Sequence, residues 1–324
     1  MINIGLCADE NFAMPFGVCL TSLFESNKNE PITVHVITQG FSDKTLSRIR
    51  TTEQKYARVD TVKIYKIDDG VFSQYPLSTQ FPKSIYFRYL YAKLLPESIE
   101  RLLYIDCDTV VLSSLKDIWN ADMPDGILFG AVEDRNGDDI LIRNRIGRWD
   151  GFYFNSGVLL MNLAEWRRMD TFKIFADFIL ENKEVCLYPD QDAINAAFPS
   201  RFKRLPFEYN FHMSFVAPFN TFRLHLSKKI ELLHAFKNLC IVHFAAEIKP
   251  WYKDSQHPLI FLWLYFYNKS EWRVTKLKYR NSLIRRIMRK FIIRLFYNNL
   301  EQLDPSFEVQ LQLYRQLYTL HNNE

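Results

Sequence analysis

The sequence predicts an α/β fold, a sheet flanked by helices. Two observations predict it. Short apolar, β-prone runs alternate with helical segments through the first hundred residues, and polar or acidic residues fall where several of the runs stop. Folds of this kind bind ligands beyond the carboxyl ends of their strands, so the residues closing each run are the first candidates for a site.

The first strand is expected over Ile2–Ala8, where the chain enters a β pattern at once, and the next two over Thr33–Thr38 and Val62–Ile67, both rich in β-branched residues. Leu102–Leu112 reads as one strand with two aspartates in its middle. Ile127–Val132 and Phe152–Leu160 complete the set, the last interrupted by a polar Asn-Ser-Gly turn. Helical spacing is found at Phe16–Ser26, Asp43–Tyr56, Phe87–Leu94 and Glu165–Asn182. In the last of these Trp166, Phe172, Ile174, Phe175, Phe178 and Ile179 form a wide apolar face.

At 324 residues the chain is long enough for one large domain and an appendage, expected at residues 1–268 and 269–324. Hydrophobic residues at 48% and charged ones at 24% exclude a disordered chain. With only 10 glycines and neither a Gly-x-Gly-x-x-Gly nor a P-loop pattern, phosphate binding would need another device. Five cysteines, an odd count without a Cys-x-x-Cys pair, argue against a disulfide scaffold or structural zinc and for a reducing cytoplasm. The N-terminus has no basic region or cleavage site of a secretory signal, and no apolar run reaches transmembrane length, so a cytoplasmic protein is expected.

Charge is unevenly spread. Eight Lys or Arg and no acid fall in residues 276–294, so a chain of net charge +4 carries −4 over the rest. That argues against a nucleic-acid surface spread over the fold and for one local electrostatic contact. Leu283, Ile284, Ile287, Met288, Phe291, Ile292 and Leu295 share one helical stripe opposite Arg285, Arg286, Arg289, Lys290 and Arg294. Such a basic amphipathic helix, flanked by Tyr and Phe, is expected to lie on an anionic membrane surface; a core-packing helix with a solvated basic face is the alternative. The polar segment Glu301–Glu324 has no assigned place.

The chemistry centres on Tyr104-Ile-Asp106-Cys107-Asp108-Thr-Val. In extended backbone Asp106 and Asp108 project together, and adjacent carboxylates repel unless a divalent, oxygen-seeking cation such as Mg2+ or Mn2+ joins them. Two solvated acids at a strand end are the plainer alternative. Cys7-Ala8-Asp9-Glu10-Asn11 closes the first strand, where a turn offers amides and an acid to a nucleoside or simply forms an Asx turn. Arg88, the one cation in Ser84-Ile-Tyr-Phe-Arg88, suits an anion. Tyr188-Pro189-Asp190-Gln191-Asp192 looks like a helix start, although capping explains only one of its acids. His243 ends an apolar run and Lys249 follows it by six residues. A histidine ligating the same ion as the two aspartates, with the lysine reaching a diphosphate, explains both.

Taken in order from Asn3 to Trp251, these motifs resemble the retaining glycosyltransferases of family 8, which include bacterial lipooligosaccharide galactosyl- and glucosyltransferases and glycogenin. Asp-x-Asp, Phe-Asn-Ser-Gly-Val-Leu-Leu, Asp-Gln-Asp and His-x6-Pro-Trp carry the resemblance. It implies a GT-A fold with a Rossmann-like mixed sheet, a UDP-galactose or UDP-glucose donor, and Mn2+ with Mg2+ as a substitute. It implies that Asp106, Asp108 and His243 bind the metal, and that Cys7, Ala8, Asp9 and Asn11 hold uracil and ribose. Lys249 would meet the diphosphate, with Cys107 and Ala246 also lining the donor site; the family usually has glycine where Ala246 stands. Arg88, Asp106, Asn155, Asp190 and Gln191 would surround the donor sugar, with Asp134 nearby.

Gln191, Asp190 and Asp134 are the candidates for the place beneath the anomeric carbon. An amide is a poor nucleophile, so same-face attack assisted by the leaving phosphate stands beside double displacement. The implied acceptor is a glycolipid or oligosaccharide in cell-envelope glycan synthesis, met at the inner face of the cell membrane by a peripherally attached enzyme. Two readings compete. The Asp106 motif also resembles the nucleophile motif of haloacid-dehalogenase-type phosphatases, although that family places it near the N-terminus. An inactive sugar- or membrane-binding protein of the same fold is the other.

Overall fold

The computed structural model describes residues 1–58, 61–76, 83–134, 146, 152–212, 215, 225–245, 249–255, 257–283 and 305–320. Its strands are β1 (Ile2–Cys7), β2 (Ile32–Thr38), β3 (Val62–Lys66), β4 (Arg101–Ile105), β5 (Thr109–Val111), β6 (Phe129–Glu133), β7 (Phe154–Asn162), β8 (Phe202–Leu205) and β9 (Ile241–His243). Seven of them form one mixed sheet in the order β3-β2-β1-β4-β7-β6-β8, and β5 pairs with β9 in a small second sheet. β1 to β4 run parallel, β7 is antiparallel to both of its neighbours, and β6 is parallel to β8.

The connections explain where a site can form. α1 (Ala13–Ser26) and α2 (Asp43–Lys55) carry the chain outward from β1 to β3, after which it returns on the other side of β1 as β4. Strand order therefore reverses between β1 and β4, and a crevice opens at their carboxyl ends. Antiparallel β7 begins at this same edge, with Val158 opposite Ile105, and β6 ends there with Glu133 opposite Phe154.

Period-two alternation sends side chains into a separate core on each face. Leu103 and Ile105 of β4 with Val158 and Leu160 of β7 face α1, whereas Leu102, Tyr104, Leu159 and Met161 face an aromatic layer that includes Tyr86, Tyr91, Trp166 and Phe175. The 3-10 run Lys83–Leu90, which continues into α3 (Tyr91–Leu94), supplies part of that layer where the sequence suggested a helix from Phe87.

Three expected elements are built differently. Leu102–Leu112 is two strands rather than one. Asp106 N–H makes the last main-sheet bond, to Gly157 O at 2.8 Å, and Thr109 Oγ1 donates back to Asp106 O at 2.8 Å to close a turn. Beyond it the ladder partner of β5 is β9, and α4 (Lys116–Trp119) follows. Asn155-Ser156-Gly157 is extended strand within β7 and not a turn, because other elements satisfy its polar groups. Glu165–Asn182 is two helices, α5 (Leu163–Arg168) and α6 (Thr171–Glu181). They are separated at Asp170, whose φ of 43° lies in the left-handed region that aspartate tolerates.

Three further helices are α7 (Pro189–Ala197), α8 (Leu226–Lys237) and α9 (Ile260–Lys269). The last described helix, α10 (Pro305–Leu320), falls in the segment that the sequence left unplaced. It is part of the core: Phe307 and Tyr314 pack on Phe236 of α8, and Tyr318 packs edge-on to Tyr265 of α9. Trp272 is equally deep, seated against Gly17 of α1, where a Cβ would come within 2.1 Å of the indole. Of the basic amphipathic stripe, Leu283 is exposed, and Ile284, Ile287, Met288, Phe291, Ile292 and Leu295 lie outside the described residues. No described helix is long and apolar enough to cross a membrane.

Trp272→Ala should cost about 3–5 kcal/mol in urea denaturation, the range for a large aromatic cavity. Buried His35 sets a pH limit on stability. Tyr65 Oη and Asn3 Oδ1 hold its two ring nitrogens at 3.0 and 3.1 Å. Burial, with Lys63 adding repulsion, lowers its pKa from 6.5 to about 4. As pH falls the unfolded chain takes up this proton first, so the contribution is full above pH 6.5 and is lost as pH drops towards 4. The thermal midpoint should fall across that window, and His35→Gln should flatten the fall.

Candidate functional site

A cleft of about 220 Å³ opens at the strand-order reversal. It gathers side chains that are far apart in sequence: Cys7, Arg88, Asp106, Cys107, Asp108, Asn155, Asp190, Gln191, His243 and Lys249 all line it. Of the other predicted site residues, Ala8 is buried behind β1, and Asp9 caps the turn Glu10–Phe12 by accepting from Phe12 N–H at 3.0 Å. Asn11 is exposed beside that turn, and Ala246 lies outside the described residues. Asp134 sits behind the cleft wall, hydrogen-bonded to Asn155 and Gln191.

The two aspartates are brought together by the turn after β4, not by strand periodicity. The β5–β9 pair then sets Thr109 opposite His243, and Phe244 N–H donates to Asp108 O at 2.9 Å, so the imidazole is delivered to the acids. His243 Nε2 lies 3.2 Å from Asp108 Oδ1 and 4.0 Å from Asp106 Oδ2. One ligand atom from each of the three residues falls within 4.8 Å of the others, a two-oxygen, one-nitrogen donor set that fits a cation such as Mn2+ or Mg2+. Gly157 makes room for the ring: a Cβ there would stand 2.3 Å from His243 Cε1.

Two cations balance the acids. Lys249 Nζ donates to Asp108 Oδ2 at 2.6 Å and to Phe244 O at 3.0 Å. Burial works against a charged Asp108, but Lys249 and then His243 outweigh it and hold this carboxyl well below the usual range. Arg88, 4% exposed, donates to Asp106 Oδ1 at 3.0 Å, to Ser156 O at 2.7 Å and to Ile85 O at 3.0 Å, and lies 3.3 Å from Asp190 Oδ2. Burial disfavours the guanidinium cation, yet Asp106, Tyr104 and Asp190 together hold it all the more firmly protonated. Burial also pushes Asp190 above the ordinary carboxylate value, partly offset by Arg88. Desolvation likewise pushes the thiol of the half-buried Cys7 up to about 12, so it meets the cleft uncharged.

α7 positions the far wall. Asp192, which capping left unexplained, accepts from the backbone N–H groups of Leu187 and Tyr188 at 2.8 and 3.1 Å and from Tyr153 Oη at 2.7 Å. It thereby fastens the loop that starts the helix. Gln191 Oε1 accepts from Ser156 N–H at 3.0 Å, and Gln191 Nε2 donates to Asp134 Oδ2 at 3.2 Å.

Sequence reasoning missed two residues. The Tyr104 hydroxyl donates to Asp106 Oδ1, a contact that its i−2 position on the same strand face could have suggested. Asn210, fully buried, accepts from His243 Nδ1 at 2.9 Å and has no local signal in the sequence.

Fold and site together describe an α/β protein with a cleft of acids, cations and one imidazole where its strand order reverses. Residues 3–255 match the model for glycosyl transferase family 8, and the chain belongs to that family. A lipopolysaccharide 1,2-glucosyltransferase of Escherichia coli is 29% identical over 278 residues, which cover 84% of this chain and 79% of the relative. General stress protein A of Bacillus subtilis is 26% identical, over 84% of this chain and 95% of its own length. The fold is GT-A: the crystal structure of galactosyltransferase LgtC with donor and acceptor sugar analogues superposes with a TM-score of 0.74 at 24% identity, over 83% of this chain and 96% of that one. The chain is thus a glycosyltransferase by family, and the phosphatase reading of Asp106 falls away.

Arg88→Met should destabilise the protein by about 3–5 kcal/mol in urea denaturation, because it leaves Asp190 buried without its cation.

Proposed function

We propose that this glycosyltransferase is a metal-dependent, retaining enzyme that moves a hexose, galactose or glucose, from a UDP-sugar to a glycolipid or oligosaccharide acceptor in cell-envelope glycan synthesis. The observation that carries the reading is the cluster of Asp106, Asp108 and His243 with Lys249 beside it at the edge where strand order reverses. Asp106, Asp108 and His243 would hold the ion, Mn2+ or Mg2+. When bound it supplies Lewis-acid charge to the departing diphosphate.

The chain's own groups do the rest. Lys249 stands on the open side of Asp108, from where its ammonium can turn to a phosphate oxygen as charge builds there. Cys7, Ala8, Asp9 and Asn11, at and just after the end of β1, would hold uracil and ribose next to the diphosphate. Arg88, Asn155, Asp190 and Gln191 wall the sugar pocket. Both ends of the Gln191 amide are hydrogen-bonded, and Asp190 Oδ2 is held by Arg88 and the Ser156 hydroxyl. Neither is poised as a free nucleophile, which supports same-face attack assisted by the leaving phosphate over double displacement.

We place the enzyme at the cytoplasmic face of the cell membrane, held by the basic stripe from Leu283 to Leu295. Relatives named as lipopolysaccharide glucosyltransferases and a Salmonella typhimurium lipopolysaccharide 1,3-galactosyltransferase support the acceptor class.

With Mn2+ and a panel of nucleotide sugars, free nucleotide should be released from UDP-hexoses only. Asp106→Asn and Asp108→Asn should each lower that release by more than about a hundredfold with the thermal transition intact. Full activity of either variant in EDTA would overturn the assignment. Trp272 and α10 are core, so the membrane contact is better tested by substitution than by truncation. Reversing Arg285, Arg286 and Arg289 to Glu should release the folded chain from anionic liposomes in co-sedimentation, each lost contact weakening binding by about 1 kcal/mol; unchanged binding would reject the stripe.

A further inference from the structure

Behind the cleft runs a chain of buried side-chain hydrogen bonds that joins the sugar-facing wall to His243. Asn155 Nδ2 and Gln191 Nε2 both donate to Asp134 Oδ2, at 3.1 and 3.2 Å. Asn155 Oδ1 accepts from Gly157 N–H and from Asn210 Nδ2, each at 2.9 Å. Asn210 Oδ1 in turn accepts from His243 Nδ1 at 2.9 Å. Asn155, Asn210 and His243 are at most 8% exposed, so water does not readily substitute for any of these partners.

The direction of every bond in the chain follows from its ends. Asp134 Oδ2 accepts from the side-chain NH2 groups of both Asn155 and Gln191, so Asn155 turns its amide nitrogen towards it. Asn155 Oδ1 must then face the Gly157 amide, which only donates, and it calls for a donor from Asn210. Asn210 thereby presents its oxygen to His243, whose Nδ1 must carry the proton. A ring that ligates a cation with its proton on Nδ1 offers the lone pair of Nε2, the nitrogen that faces Asp106 and Asp108.

We propose that Asn210 is a positioning residue that fixes the metal-binding tautomer of His243, and that Asp134 sets its polarity from a distance through Asn155. The inference rests on the metal reading above. It gives Asp134 a task at the metal ligand in addition to any at the sugar, and it makes the sugar wall and the cation site one hydrogen-bonded unit.

The test is a double-mutant cycle read by Mn2+ binding alone, from the free-ion signal in electron paramagnetic resonance, without nucleotide or turnover. Circular dichroism would check each variant's fold. Asn210→Ala should weaken Mn2+ binding by about tenfold or more, the scale on which partners of metal-ligating histidines act. Asp134→Asn should weaken it by about threefold or more, although position 134 offers no ligand atom to the cluster. Its effect should vanish in the Asn210→Ala background, since both act through one chain. Asn210→Asp keeps an acceptor on Nδ1 whatever stands at position 134, so it should retain Mn2+ affinity and abolish the dependence on Asp134; it carries the test if Asn210→Ala does not fold. A merely structural role predicts additive effects and no such rescue. An unmodified protein that binds no Mn2+ would overturn the metal reading together with this inference. Unmodified protein that binds Mn2+, with folded Asn210→Ala binding it equally or with Asp134→Asn acting undiminished in that background, would overturn this inference alone.

Discussion

Three carboxylates share one buried crevice, and the cost of holding them there organises the rest of the site. Asp106, Asp108 and Asp190 arrive from two chain segments more than eighty residues apart, and Arg88 and Lys249 are the Arg and Lys side chains among the described residues that pair with them. Arg88 is placed between Asp106 and Asp190, and is held there by the carbonyls of Ser156 and Ile85 and by the Tyr104 ring. Breaking that arrangement would leave charge stranded in low dielectric, which is far worse than never having built it. The aromatic layer under the sheet is best understood as the support that keeps this guanidinium in place.

Topology makes the convergence possible. A turn after β4 gathers two acids, the small β5–β9 sheet brings a histidine to them, and the antiparallel entry of β7 lays Asn155-Ser156-Gly157 across the same edge. Apart from that turn, these steps are not local. Each depends on a strand finding a partner from another part of the chain, so the acids, the imidazole and the amides come into register only when both sheets are complete.

That non-locality separates what could be read from the sequence from what could not. The strands β1 to β3 and the motif residues were legible, because β-branched runs and unusual clusters of acids, His and Lys carry their meaning within a few residues. The break at Asp106 was not, since Thr109–Val111 is as β-prone as Arg101–Ile105 and only the change of ladder partner divides them. Asn155-Ser156-Gly157 resembled a turn because its satisfying partners, Asn210 and Gln191, are 55 and 35 residues away. In α10, the helical spacing of Phe307, Leu311, Tyr314 and Tyr318 was present but diluted by polar neighbours.

The ion pair between Lys249 and Asp108 has a thermodynamic consequence. Arg88 and Lys249 offset two of the three carboxylates, so a dication seated between Asp106 and Asp108 turns a surplus of one negative unit into a surplus of one positive unit. A diphosphate ester carries the negative charge that offsets this surplus. The affinities of cation and diphosphate for this crevice are therefore linked, and linkage is reciprocal: whatever factor one gains from the other is returned in full. A crevice whose surplus charge changes sign when the cation arrives favours the two as a pair, each binding more tightly once the other is in place.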